Sequence, residues 1–382
     1  MITMPHMYLS PKEKEYVLDC IHNNDIGTGR YVKKFEEEFA KYIGLPYAIG
    51  VNTGTAAIHL ALVALGIGEG MEVIVPSFTF IATAEAVKYC GATPVFVDCN
   101  KDDWCINVNL IEKAITKKTK AIIPVHIFGN CCEMEKIQII ANRHNLAIIE
   151  DAAEAHGSQY NGKKSGSFSD IACFSFFSNK LITCGEGGMC LTSNKALKEK
   201  IDLLKSHGKD KTEVINKLPD YPKKQYFHSY LGYNYRMTNL QAAVGLGQLE
   251  NIEKVISKKR EIARMYKKCF QMQGLDKHFF WQKEQGKSNF WLIGILCENA
   301  EIQDALTRYL NAHNIETRSF FYPMHKHSFF PNTIVCEDEN SKSVSEEINE
   351  RGIMLPNDIS MDQKEVETVT QHIQNFYREL KK

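Results

Sequence analysis

One lysine, Lys180, closes the run Phe174-Ser175-Phe176-Phe177-Ser178-Asn179-Lys180, just before the turn Gly185-Glu186-Gly187-Gly188. Upstream, the apolar run ending Ile148-Ile149-Glu150-Asp151 carries an aspartate at its end, followed by Ala152-Ala153-Glu154. An amine that forms a Schiff base, with a carboxylate placed to hold a protonated pyridine nitrogen, is the pairing that pyridoxal phosphate chemistry requires. A lysine taken alone is far more often a solvated surface residue. The weight therefore rests on what surrounds it.

The elements that must position these residues follow a strand-helix rhythm. Tyr47–Val51 reads as a short buried strand, and Asn52-Thr53-Gly54-Thr55-Ala56-Ala57 leads into a helix over Ile58–Leu65. A small-residue turn opening a helix leaves N–H groups free for an anion, and Thr55 adds a hydroxyl. An ordinary N-terminal cap uses the same residues, so both readings stand at this point. Further strands are expected over Glu72–Val75, Pro94–Val97, Ala121–Val125, Ala147–Ile149, Ile171–Phe176 and Met189–Thr192. Helices are expected between several of them, including Asn109–Ile115 and Glu133–Arg143, and Pro76–Ala84 runs from a strand into another. Apolar strands alternating with helices imply a mostly parallel sheet covered on both faces. Ligands in such sheets lie beyond the carboxyl ends of the strands, where Thr55, Asp151 and the turn after Phe176 would meet.

Before this region, Ser10 and Pro11 read as the start of a helix, and Tyr31–Ile43 as an amphipathic one with Val32, Phe35, Phe39 and Tyr42 on one face. After it, His207–Tyr230 loses all periodicity and reads as a long surface excursion. Thr238 then caps a long helix from Asn239 to about Cys269, with the domain boundary expected near Gly247. The remainder, with a strand over Phe290–Cys297 and helices around Ile302–Asn311 and Lys364–Leu380, reads as a smaller α+β domain.

The 382 residues carry 46 Lys+Arg against 46 Asp+Glu, a balance that argues against a general nucleic-acid or membrane-surface binder. The 12 cysteines form no C-x-x-C pair or zinc spacing, which fits reduced thiols and no metal site. No signal peptide is expected from the first residues, and no apolar run approaches the ~20 residues of a membrane span. A cytoplasmic location is the expectation.

Several segments occur in a fixed order: Gly54-Thr55-Ala56-Ala57-Ile58-His59-Leu60, Glu150-Asp151-Ala152-Ala153-Glu154-Ala155, Phe174-Ser175-Phe176-Phe177, Asn179-Lys180, Gly185-Glu186-Gly187-Gly188-Met189, Gly232-Tyr233-Asn234-Tyr235-Arg236-Met237 and Phe321-Tyr322-Pro323-Met324-His325. In this order the chain resembles the pyridoxal-phosphate sugar aminotransferases of the DegT/DnrJ/EryC1/StrS family over nearly its whole length. The resemblance implies an α/β protein of the type I aminotransferase fold. Its large domain (1–247) would hold a mostly parallel seven-stranded sheet flanked by helices, and 248–382 would form a small C-terminal α+β domain. It also implies transfer of an amino group from glutamate to a nucleotide-linked 4-keto-6-deoxy sugar, for surface polysaccharide biosynthesis.

Residue by residue, the resemblance makes Lys180 the Schiff-base lysine and proton carrier, and Asp151 the partner of the pyridine nitrogen. Gly54, Thr55 and Ser175 would hold the phosphate, Phe80 would pack on the ring, and Glu154 would lie near the cofactor. Asn234 would reach the cofactor phosphate of the neighbouring subunit, which requires a homodimer. Arg318, His325 and Arg236 are candidates for the substrate, each with a structural alternative as an ion pair or turn residue. His59 reads as a core histidine. Some family members are dehydratases, but these carry His at the position of Lys180. A non-catalytic binding protein on the same scaffold is the remaining alternative. Two features depart from relatives: Ser178 stands where Gly is usual, and Lys209–Tyr230 is longer.

Overall fold

The computed structural model of the protein describes residues 1–209, 228–330, 335–337 and 343–380. Most of the excursion read over Lys209–Tyr230 therefore lies outside the described residues. The chain order of strands is β1 (Tyr47–Val51), β2 (Glu72–Pro76), β3 (Thr93–Val97), β4 (Thr119–Ile122), β5 (Ala147–Asp151), a small hairpin of β6 (Gln159–Tyr160) and β7 (Lys163–Lys164), β8 (Ile171–Ser175) and β9 (Gly188–Thr192). Five more follow: β10 (Phe280–Trp281), β11 (Ile293–Leu296), β12 (Arg318–Ser319), β13 (Val335–Cys336) and β14 (Gly352–Leu355).

The large sheet has the order β1-β9-β8-β5-β4-β2-β3-β13. Only β9 runs against its neighbours; every other adjacent pair is parallel. The seven expected strands are all there, and the two-residue β13 adds an eighth at the edge. Side chains alternate across a strand, and the β2 residues sort accordingly. Val73 and Val75 join one apolar cluster with Leu60, Ile123 and Ile149, whereas Ile74 joins a second with Phe35, Phe39 and Phe174. Both faces are thus covered, which is why these strands read as unbroken Val/Ile runs. The helix expected from Ile58 begins earlier, at Gly54, and ends at Ala64.

Toward the C-terminus, β10-β11-β14-β12 form an antiparallel sheet backed by a third apolar cluster that runs from Ile262 to Tyr377. The single long helix expected after Thr238 is instead two, Asn239–Glu250 and Ile252–Gln273. They part at Asn251, whose side-chain amide donates to Gly247 O at 3.1 Å, an alternative to continuing the helical ladder. Connections also cross the expected boundary. Ile2 pairs with Ile315, and β13 adds to the large sheet beside β3. Among the described residues no helix is long and apolar enough to cross a membrane.

Candidate active site

The carboxyl ends of β5 and β8 and the amino end of the helix Gly54–Ala64 open on one cleft of about 380 Å³, lined by Gly54, Thr55, Phe80, Asp151, Glu154, Ser175, Lys180 and Arg318 among others. Eight of the residues singled out from sequence thus share one wall. Three do not. Asn234 is exposed and forms a backbone bridge with Ser206, and Arg236 bridges Val51. His325 sits with Nε2 2.9 Å from Glu346 Oε1, and Lys326 reaches the same carboxylate, so the pair accounts for its place in the turn after Pro323. His59 is buried among Tyr89, Tyr233 and Tyr235, as a core histidine.

Asp151 ends β5 with its side chain almost wholly buried. Thr83 Oγ1 donates to its Oδ2 at 2.8 Å and the Ala153 N–H to its Oδ1 at 3.2 Å. Burial raises its pKa above the ordinary carboxylate value, while Thr83, Ala153 and the Lys180 charge hold it back. The carboxylate survives in an apolar setting because it is hydrogen-bonded.

Lys180 lies in the turn after β8, its Nζ 3.9 Å from Glu154 Oε1 and 3.6 Å from the centre of the Trp291 ring. Burial lowers its pKa, against the pull of Glu154 and Asp151. Burial likewise pushes Glu154 up, to about 7, with Lys180 and the Phe128 N–H opposing. That N–H donates to Glu154 Oε2 at 2.7 Å from a phenylalanine with φ of 57°, a left-handed backbone that non-glycine residues rarely adopt. Burial thus disfavours the charged form of both partners, while each one's charge favours the other's.

A helix start has N–H groups with no intrahelical partner. At this one, Thr53 Oγ1 accepts from the Ala56 N–H at 3.0 Å, and Gly54 and Thr55 border the cleft. Gly54 is required by packing, since a Cβ there would stand 2.6 Å from Ser175 Cβ. Two buried oxygens on the cleft lining, Thr79 Oγ1 and Asn179 Oδ1, have no protein partner. Donors for an anion, a carboxylate, an amine and the exposed Phe80 face together fit pyridoxal phosphate.

Two residues were missed from sequence. Thr83 was read only as part of a helix, although a lone hydroxyl in Ile81-Ala82-Thr83-Ala84 was a signal. Trp291 was read as part of a strand, yet it precedes β11 and forms the floor beneath Lys180.

What this fold and this cleft define is a pyridoxal-phosphate-dependent aminotransferase of the type I fold. Residues 8–374 match the DegT/DnrJ/EryC1/StrS aminotransferase family, and the chain belongs to it. GDP-perosamine synthase of Escherichia coli O157:H7 is 43% identical over 374 residues, covering 97% of this chain and 96% of that one. GDP-perosamine synthase of Caulobacter vibrioides is 44% identical over 320 residues, 83% of each chain. The putative sugar aminotransferase Spr1654 from Streptococcus pneumoniae, solved in its PMP form, matches with a TM-score of 0.90 at 26% identity, covering 99% of this chain and all of that one.

Proposed function

We propose that this enzyme moves an amino group from glutamate to a nucleotide-linked 4-keto-6-deoxy sugar, as a GDP-perosamine synthase, in the making of a surface polysaccharide such as O-antigen. The observation that carries this reading is the similarity to enzymes of that name over nearly the full length of both chains. In this reading the enzyme is a cytoplasmic homodimer, with Asn234 of each chain completing the other's site. The division into a cofactor domain (1–247) and a small domain (248–382) belongs to the same proposal.

When bound, pyridoxal phosphate supplies an electron sink that stores the amino group between donor and acceptor. The rest of the work falls to the chain. Gly54, Thr55 and Ser175 would hold the phosphate at the helix start, where N–H groups and the dipole favour an anion. Asp151, whose carboxyl accepts from Thr83, would pair with the ring nitrogen. Phe80, exposed on the cleft, would cover one ring face. Burial disfavours the charged form of Lys180, which suits its Nζ to the role of the group that would take and return the proton at the reacting carbon. Glu154, with Oε1 3.9 Å from Lys180 Nζ, is a carboxylate set beside that amine. Arg318, exposed at the rim and paired with Glu316 at 3.3 Å, is the cation offered to a pyrophosphate or carboxylate.

The test is to incubate the protein, pyridoxal phosphate and glutamate with GDP-, UDP- and dTDP-linked keto sugars and to weigh the products. A GDP sugar gaining an amine in place of the ketone is expected. Loss of a hydroxyl oxygen without a retained amine, or amination of only UDP or dTDP sugars, would overturn the assignment.

A further inference from the structure

Every polar atom of Trp291 is fastened. Its backbone N–H donates to Asn289 Oδ1 at 2.8 Å, and its indole Nε1–H to Asn179 O at 2.7 Å. Its carbonyl accepts from Asn357 Nδ2 at 3.1 Å and from Lys259 Nζ at 3.2 Å. Lys259, on the helix Ile252–Gln273, is 2% exposed, and its amine also donates to Asn357 O at 2.8 Å. One buried amine thus ties the approach to β11 to the segment after β14. Lys180 Nζ lies 3.6 Å from the centre of the indole of the same residue, and the two lysines share the walls of a cavity of about 40 Å³.

Burying a lysine is costly, and a methionine of similar length would fill this space without that penalty. The amine is therefore retained for what it holds. The charged groups facing it are Asp358 beside it, and Glu13, His6 and Lys180 around the shared cavity. Burial lowers its pKa to about 7, with Asp358 opposing. A neutral amine still has two N–H donors for two carbonyls, so the tie persists across neutral pH.

We infer that Lys259 is a positioning residue for the reacting amine: by holding the Trp291 carbonyl it fixes the indole face on which Lys180 Nζ rests. This rests on the proposal that Lys180 is the lysine that meets the cofactor. A tilt of the indole would shift Nζ, and small misplacements of a reacting atom are expensive in rate.

The experiment uses apoprotein, with pyridoxal phosphate and cyanoborohydride, and follows the reduced label on the Lys180 peptide by mass. The variants are Lys259→Met, Trp291→Phe and the double substitution, each checked for folding by circular dichroism. Labelling in Lys259→Met should slow on the order of tenfold. The double variant should be no slower than Trp291→Phe alone, because both changes act through one ring. Labelling at the wild-type rate in Lys259→Met, or a double loss equal to the product of the singles, would overturn the inference. If Lys259→Met does not fold, Asn357→Ser removes the other side-chain donor on the same carbonyl and must show the same dependence on Trp291. A wild-type protein that takes no label at Lys180 removes the site assignment, and the inference with it.

Discussion

Thr83 Oγ1 donates to Asp151 Oδ2 at 2.8 Å, so the carboxylate at the end of β5 is steadied by a hydroxyl from the helix that follows β2. This bond is one of the influences that hold down a pKa raised by burial. In Thr83→Val the shape is kept and the donor lost, so Asp151 titrates at higher pH. A hydrogen bond to a charged group is worth roughly 1.5–3 kcal/mol, and cofactor affinity should fall by about tenfold or more. The acid limb of the pH–rate profile should move to higher pH. Unchanged affinity and an unmoved limb would show that Thr83 does not support Asp151.

Glu154 and Lys180 make the stability of the apoprotein depend on pH in a defined sense. The folded pKa of Glu154 lies above its unfolded value, so the folded state binds the extra proton between the ordinary value of 4.5 and about 7. Its contribution is fully present below that window and is lost as pH rises through it. Lys180 is shifted downward, so its contribution is present above its unfolded pKa and is lost as pH falls toward the folded one. In Glu154→Gln the first dependence disappears. The variant's advantage over the wild type should be about 2–3 kcal/mol larger at pH 8 than at pH 5, read from urea unfolding of the apoprotein.

The parts of this site legible in the sequence are those carried by local pattern. Asp151 ends an apolar run, Gly54 and Thr55 open a helix, and Lys180 stands between a strand and a glycine turn. Each sits where strand ends and helix starts must converge in a parallel sheet. What sequence did not disclose depends on contacts between distant segments. Trp291 meets Lys180 across 111 positions, a residue separation that no periodicity encodes. The break at Asn251 is a side chain competing with its own backbone, and β13 finds its place only by pairing with β3. The contact of His325 with Glu346, 2.9 Å between Nε2 and Oε1, likewise joins segments that no local pattern links.

Gly54 tests the cradle directly. A Cβ would stand 2.6 Å from Ser175 Cβ and 3.2 Å from Ser175 Cα, so the strand end and helix start must separate. Gly54→Ala should lower stability by about 1–3 kcal/mol through overpacking. It should also weaken cofactor binding, measured by equilibrium dialysis, more than it slows turnover at saturating cofactor. Binding at wild-type strength would mean that the helix start is an ordinary cap.

Asn234 is exposed and absent from the lining of its own chain's cleft, which suits a residue that serves a second copy. Asn234→Ala should then lose cofactor affinity, and Lys180→Ala should lose turnover by a factor of at least about 100. The geometry of a two-fold dimer makes a stronger test. In a mixed dimer of the two variants, one site receives both lesions and the other receives neither. Unfolding and refolding an equal mixture of the inactive variants should therefore restore about a quarter of the wild-type sites. Residual activity no higher than that of the separate variants would place Asn234 in the same site as the Lys180 of its own chain, or in none.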